Sequence, residues 1–491
     1  VTSTQSLTDR DWRLLVGGRL VPPLSGARLD VVNPATAEVI TSIPAGGEDD
    51  VNAAVAAGRE AFESWRRLSV AARARAVTEL AAAIEEAGEE LALLDSVDNG
   101  TPIRVMRNDF RIAVDQLRFF AGLAPALRGE SIPTPDRGSV DFTLRDPFGV
   151  VGRIVPFNHP LMFAAAKLGA PLVAGNTIVL KPSQHSSLSA LRLGEICAEV
   201  LPPGVVNIVS GDGRVTGEAL VRHPDVPRIA FIGSVEVGLQ IQRSAATSRV
   251  KVVTLELGGK NPIIVFPDAD VDAAIGGALN GMNFSWQGQS CGSTSRLYVH
   301  RSLFDSFVDR LGERMAAMRI GDPLDEATDV GAIVSRQQYE LVCRYLEQGI
   351  ASPKARLVTG GVADGVGLNG YFVRPTLFAL DDDDVSIACE EIFGPILVAI
   401  PFDDYGEVIE RANRLPLGLT ASVWTRDLET ALSAVRDLET GYAWVNWSSS
   451  HIPGTPFGGV KDSGVGREEG IDELFSYTQT KNAYIRFGSE Q

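Results

Sequence analysis

Of the four cysteines in this 491-residue chain, Cys291 sits where apolar packing does not explain it. It lies in FSWQGQSCGS, Phe284 to Ser293, among Gln287, Gly288, Gln289, Ser290, Gly292 and Ser293. Glycines there let backbone approach a ligand closely. A helix beginning just after the loop would offer free N–H groups that favour a thiolate and hold an oxyanion. A lone cysteine is more often a small buried hydrophobe, so the residues alone leave packing and nucleophilic roles both open. Glu256, in TLELGGKNP, ends an apolar run directly before a leucine and two glycines. Facing water it is an ordinary carboxylate; in an apolar cleft desolvation raises its pKa and suits it to general-base work. Cysteine plus carboxylate without histidine is a reasonable pair for forming and then hydrolysing a thioester.

Two further stretches suggest anion binding. FIGSVEVG places Gly233, Ser234 and Gly238 after an apolar run, which predicts a strand, a tight turn and a helix N-terminus able to hold a pyrophosphate. Gly211, Gly213 and Gly217 in GDGRVTG lack the last spacing of a dinucleotide fingerprint. Lys181 in VLKPSQ ends another run, where an ammonium could meet ribose hydroxyls or a phosphate, or simply face water.

The elements that must position these residues read as α/β. From Val51 to about Leu94 apolar residues recur three and four apart, predicting covering helices. After Phe148 short β-branched runs alternate with helix-length segments: GVVGRIVPF, NTIVLKP, VVNIVSG, RIAFIGS, VVTLEL. That pattern predicts a parallel, doubly wound sheet. A second alternating region runs from NPIIVF through RLYVH, TLFAL, ILVAIPF and ASVWT and predicts a second α/β domain. The stretch GESIPTPDRGSVDFTLRDPFG and the tail TKNAYIRFG are strand-like without local partners, so they pair with each other or with another subunit.

The length requires two or three domains. A formal net charge of -17 disfavours nucleic acid and anionic membrane surfaces, so an anionic ligand needs a local cradle. Scattered cysteines and five dispersed histidines suggest neither a disulfide framework nor a structural metal. No apolar run approaches a membrane span and no secretion signal opens the chain, so a cytoplasmic protein is expected.

Together the motifs are far more specific than any one of them. PFNHP around Asn158, LKPSQ around Lys181, FIGS at 231 to 234, LELGGKNP around Glu256, GQSC at 288 to 291, EEIFGP at 390 to 395 and PFGGVKDSGVGRE from Pro456 follow one another across nearly the whole chain. In order and spacing the chain resembles the aldehyde dehydrogenase superfamily. The resemblance implies Cys291 as nucleophile, Glu256 as general base, and an oxyanion hole made by the Asn158 amide and the Cys291 backbone N–H. A thiohemiacetal would lose hydride to a nicotinamide, and Glu256 would activate water against the thioester.

For the cofactor, NAD or NADP, the resemblance implies Pro156, Phe157, Lys181, Ser183, Gln184, Gly217, Gly233, Ser234, Leu257, Glu391 and Phe393. Phe157 stands where a tryptophan is often found. Gln184 replaces a glutamate that would repel a 2′-phosphate, so NAD use with NADP tolerance is expected. For the substrate it implies His159, Met162, Phe163 and Ala166 on one wall, Trp286, Ser290 and Gly292 beside the nucleophile, and Trp447, His451 and Phe457 opposite. These predict a roomy apolar pocket for an aromatic or medium-chain aldehyde. A coenzyme A-acylating enzyme and a non-enzymatic cofactor-binding relative are the alternatives. The implied architecture is an NAD(P)-binding domain (1–124 and 148–257), a catalytic domain (258–460) and a β-strand oligomerisation flap (125–147 and 461–491), assembled as a homodimer or homotetramer.

Overall fold

A computed structural model describes residues 10–487 except 136, 364–366 and 368. The outer ends of the expected domains, 1–9 and 488–491, lie outside the described residues.

Two sheets organise the chain. The first has five parallel strands at its centre, in spatial order Val206–Ile208, Thr177–Lys181, Val150–Ile154, Arg228–Gly233, Val252–Leu257. Every residue of Val150–Ile154 and of Thr177–Lys181 is buried. The reason is visible in the packing: Ile178 and Leu180 point into one core, with helices Val70–Glu86 and Leu188–Val200, while Val179 points into the other, with helix Glu48–Trp65. A strand covered on both faces must be apolar throughout, which is why these runs do not alternate.

The second sheet has the same logic. Its six parallel strands run Val373–Leu380, Ile396–Phe402, Arg296–His300, Pro262–Val265, Thr420–Trp424, Tyr442–Val445. Ile263 and Val265 face one core and Ile264 the other. Chain passes between the sheets at Gly258 to Asn261, directly after Glu256.

The two strands without local partners pair with each other: Ser139–Pro147 runs antiparallel to Thr478–Arg486, from Pro147↔Thr478 to Ser139↔Arg486, and Ser131–Ile132 adds a third strand. The expected flap boundary at 461 requires correction. Gly464–Val465 joins the first sheet, pairing with Leu255 and Glu256, and helix Ile471–Ser476 packs on helix Gly169–Ala174, so only the strand from Thr478 onward belongs to the ribbon. Gly464 explains this placement: with φ of +151°, a Cβ there would lie 2.4 Å from the Leu255 carbonyl oxygen. Among the described residues no helix is long and apolar enough to cross a membrane.

Candidate active site

In the first sheet, strand order reverses between Val150–Ile154 and Arg228–Gly233. Ligands of open parallel sheets bind at the carboxyl ends of the strands around such a reversal. The residues expected to hold a cofactor gather on those ends. Pro156 and Phe157 follow Ile154, and Lys181 closes its strand with Ser183 and Gln184 just beyond. Gly233 and Ser234 close the strand across the reversal, and Leu257 ends the next one. Gly217 lies buried at the end of the short helix Gly213–Gly217. Ser234 caps helix Val235–Ala245, accepting from the Val237 N–H at 3.4 Å. The Gln184 side-chain oxygen accepts from the Gly213 N–H at 3.3 Å, and Ser183 Oγ accepts from the His185 N–H at 3.2 Å.

Burial lowers the Lys181 ammonium to about 8, partly offset by Asp212. From the second domain, burial raises Glu391 to about 7 although the Gly259 N–H donates to it at 3.1 Å. Phe393, at φ of +54°, meets Phe157 edge to face with centroids 5.6 Å apart.

Cys291 sits in a loop held open by unusual backbone. Gln287 and Gly288 both take positive φ, and a Cβ on Gly288 would lie 2.4 Å from the Gly394 carbonyl oxygen. The helix expected just after the cysteine is not there: a short 3₁₀ turn, Phe284–Trp286, precedes it, and the chain runs on through a turn into strand Arg296–His300. Four residues separate Cys291 from the strand, too few for a helix. Asn261 does the holding instead, donating to the carbonyls of Cys291 at 2.7 Å and Ser293 at 3.0 Å while accepting from the Thr420 N–H at 3.0 Å. Sequence reasoning passed over Asn261, although it stands inside the same GGKNP stretch that marks Glu256.

Glu256 is 4% exposed, and neither of its carboxyl oxygens has a hydrogen-bond partner. Burial, then the neighbouring Glu468 charge, pushes it up to about 8, against the opposing influence of the Cys291 thiol and Lys167. Burial and the Glu256 carboxyl push the Cys291 thiol well above its usual range. Asn158 lies two residues before helix Pro160–Ala166, is buried, and leaves its Oδ1 without a partner.

A cavity of ≈ 290 Å³ opens on this pair, lined by His159, Met162, Phe163, Trp286, Ser290, Cys291, Gly292, His451, Phe457 and Glu256. Two expected wall residues lie outside this lining. Ala166, on the same helix face as Met162 and Phe163 but one turn further along, is 1% exposed and packs in the core with Phe163 rather than on the cavity wall. Trp447 is 59% exposed and stands further out, on a surface groove that adjoins the cavity at Trp286 and His451.

The structure adds residues the sequence did not single out. Helix Ile103–Gly122 supplies Asn108, Asp109, Ile112, Asp115 and Gln116, and the loops supply Asn283, Ser449, Pro453, Glu468 and Glu469. His159 Nδ1 lies 2.8 Å from Asp109 Oδ2, and the Trp286 indole N–H donates to the same oxygen at 3.4 Å. His451 Nδ1 lies 3.0 Å from Glu469. Asp109 Oδ1 and Gln116 Oε1 are buried without partners.

The "Aldehyde dehydrogenase family" profile matches residues 21–483. Phenylacetaldehyde dehydrogenase of Pseudomonas fluorescens is 42% identical over 485 residues, 97% of this chain and 96% of that protein. Betaine aldehyde dehydrogenase of Sinorhizobium fredii is 42% identical over 477 residues, 96% of this chain and 97% of that protein. An aldehyde dehydrogenase from Bacillus cereus, solved as an NAD+ complex, superposes with a TM-score of 0.95 at 39% identity, covering 99% of this chain and 98% of that one. With this match running through both sheets and through every motif that places the Cys291 cavity, the chain belongs to the aldehyde dehydrogenase family and is an oxidoreductase of that kind.

Proposed function

We propose that this chain oxidises an aromatic or medium-chain apolar aldehyde to its carboxylic acid with NAD or NADP, using Cys291, Asn158 and Glu256. The observation that carries the reading is a buried carboxyl without partners beside a thiol, at the foot of a cavity walled by Trp286, Phe163 and Phe457. A structural glutamate would be paired.

The Cys291 sulfur attacks the aldehyde carbon and its proton passes to solvent through the cavity mouth, so the C=O pair becomes an oxyanion and Glu256 is left free for the later step. The Asn158 amide and the Cys291 backbone N–H donate to that oxygen. The oxyanion collapses as the aldehyde hydrogen departs with its electron pair, leaving a thioester. A bound nicotinamide dinucleotide supplies the hydride acceptor. Ionised Glu256 then takes a proton from water, whose oxygen displaces the Cys291 thiolate as the acid forms.

The strand-end residues suit such a cofactor: Lys181 is a buried ammonium, Ser234 opens an eleven-residue helix, and Glu391 is a buried carboxyl held at the Gly259 N–H just past the last strand. Neutral Gln184 supports tolerance of a 2′-phosphate. The ribbon of Ser139–Pro147 and Thr478–Arg486 exposes Val140, Leu144, Tyr484 and Ile485, which supports a homodimer or homotetramer built on this ribbon. The proposed domain division is the one given above, with the ribbon beginning at Thr478.

One observation favours a second substrate reading. Asp109, Asp115 and Glu469 line the cavity, no lysine or arginine does, and Asp109 Oδ1 lacks a partner. An aldehyde carrying an amine or a quaternary ammonium at its far end would answer those charges. Benzaldehyde, phenylacetaldehyde, hexanal, 4-aminobutanal and betaine aldehyde, each with NAD or NADP, are the test, read by reduced-cofactor absorbance. The aromatic and medium-chain members should lead; a preference for the cationic pair selects the second reading. No reduction with any of the five would sink both, as would undiminished turnover in Cys291→Ala.

A further inference from the structure

The two donors of the oxyanion hole come from different domains: Asn158 follows a strand of the first sheet, and the Cys291 N–H stands in a loop of the second domain. Something must fix their separation, because a misplacement of about 1 Å costs on the order of 100-fold in rate. The turn between helices Gly88–Asn99 and Ile103–Gly122 touches both loops.

On the first-domain side, Asn99 Nδ2 donates at 2.6 Å to the carbonyl of Phe157, the peptide unit whose N–H belongs to Asn158. Ser186 Oγ donates to the same oxygen at 3.1 Å. On the other side, Thr101 Oγ1 lies 3.0 Å from Gln287 Oε1 and within hydrogen-bond distance of Asn99 Oδ1, its single proton serving both oxygens. The Gln287 oxygen also accepts from Gln289 Nε2 at 3.1 Å, and Gln289 Oε1 accepts from the Val334 N–H at 3.2 Å. Gln287 and Gln289 are in the loop that presents Cys291.

Asn99, Thr101, Gln287 and Gln289 are each at most 1% exposed, so water cannot replace a broken link. The turn itself is docked on the second domain: the Ala332 N–H donates to the Gly100 carbonyl at 3.0 Å and the Ile103 N–H to that of Pro323 at 2.8 Å. Gly100 permits this through a φ of +86°, since a Cβ there would lie 2.7 Å from the Ala332 oxygen.

We propose that Asn99, Thr101 and Gln287 are positioning residues, a buried hydrogen-bonded strut that sets the spacing of the Asn158 amide and the Cys291 N–H. The proposal rests on the oxyanion role given to those two donors above. Thr101→Val keeps the side-chain shape and removes the hydroxyl. With the fastest aldehyde of the panel, kcat/KM should fall about 10- to 100-fold, a fraction of what losing one oxyanion donor costs. Alkylation of Cys291 by iodoacetamide develops no oxyanion and should stay within about twofold, and Thr101→Ser should recover turnover to within about threefold.

Gln287→Met breaks the strut from the other loop and should show the same split. The double variant should be no slower than the slower single one, because both remove one link. Wild-type kcat/KM in folded Thr101→Val would overturn the strut, as would alkylation falling in parallel with turnover or losses that multiply in the double variant. If Thr101→Val does not fold, the turnover-to-alkylation split of Gln287→Met decides by the same criteria. Asn158→Ala separates the two claims: normal turnover there overturns the oxyanion reading and the strut with it, whereas an impaired Asn158→Ala beside a normal Thr101→Val overturns the strut alone.

Discussion

Glu256, buried, and Glu468, with 12% of its side chain exposed, line one cavity, yet their surroundings drive them in opposite directions. Burial pushes each carboxyl up. Around Glu468 two cations reverse it: Arg153 lies 2.7 Å from one oxygen and Lys167 3.0 Å from the other, with Glu473 3.4 Å beyond on Lys167, and the carboxyl is held well below its usual range. Around Glu256 there is no cation in contact and no hydrogen bond, so burial wins and the nearby Glu468 charge adds to it. One region is a network of paired charges, the other a carboxyl without an ionic partner beside a thiol. Depth therefore does not decide whether a carboxylate is held in place or free to exchange protons; partners do.

Exchanging the charge on each partner tests that contrast. Glu256→Gln should slow release of acid by about 10²- to 10⁴-fold, the usual worth of a general base, while one equivalent of reduced cofactor still forms in a rapid burst. A burst followed by normal steady turnover would show that water is activated elsewhere. Glu468→Gln should act chiefly on stability, at a cost of about 3–5 kcal/mol, because Arg153 then loses its ion-pair partner and Lys167 keeps only Glu473. Thermal unfolding measures it, and a melting temperature equal to the wild type would mean the pairing adds no stability. The smallest effects are those of pH. Glu256 ionises near 4.5 in the unfolded chain but near 8 when folded, so its contribution to stability is present below 4.5 and lost as pH rises toward 8. Glu256→Gln should consequently melt higher than the wild type at pH 8 and alike at pH 4. In the wild type the acid-release rate should climb with pH and level off above about 8, and removing the Glu468 charge should move that limb to lower pH.

Much of this arrangement was legible in the sequence because it depends on local patterns. Runs such as NTIVLKP and RIAFIGS are apolar at every position, and only a strand covered on both faces requires that. The polar, glycine-broken setting of Cys291 and the strand-end position of Glu256 marked both before any geometry. What the sequence concealed depends on contacts between distant segments. Helix Ile103–Gly122 reads as an ordinary amphipathic helix, and nothing in its spacing tells that Asp109 and Gln116 on its polar side face a cavity rather than water. Ala166 and Trp447, which the resemblance implied for the pocket, show the same dependence: how deep one lies in the core and how far out the other stands on the adjoining groove are set by contacts between segments. The pairing of Gly464 with Glu256 spans more than two hundred residues and was invisible from either end.

That last pairing has a consequence for how the protein is made. The strand bearing Glu256 is completed by Gly464–Val465, and Glu468 and Glu469 of the same passage close the cavity. Domains form in order as a chain leaves the ribosome, so both sheets have most of their strands while Glu256 still lacks its neighbour. Cys291 thus emerges well before Glu468 and Glu469, and the cavity around it closes only once that distant passage has been made.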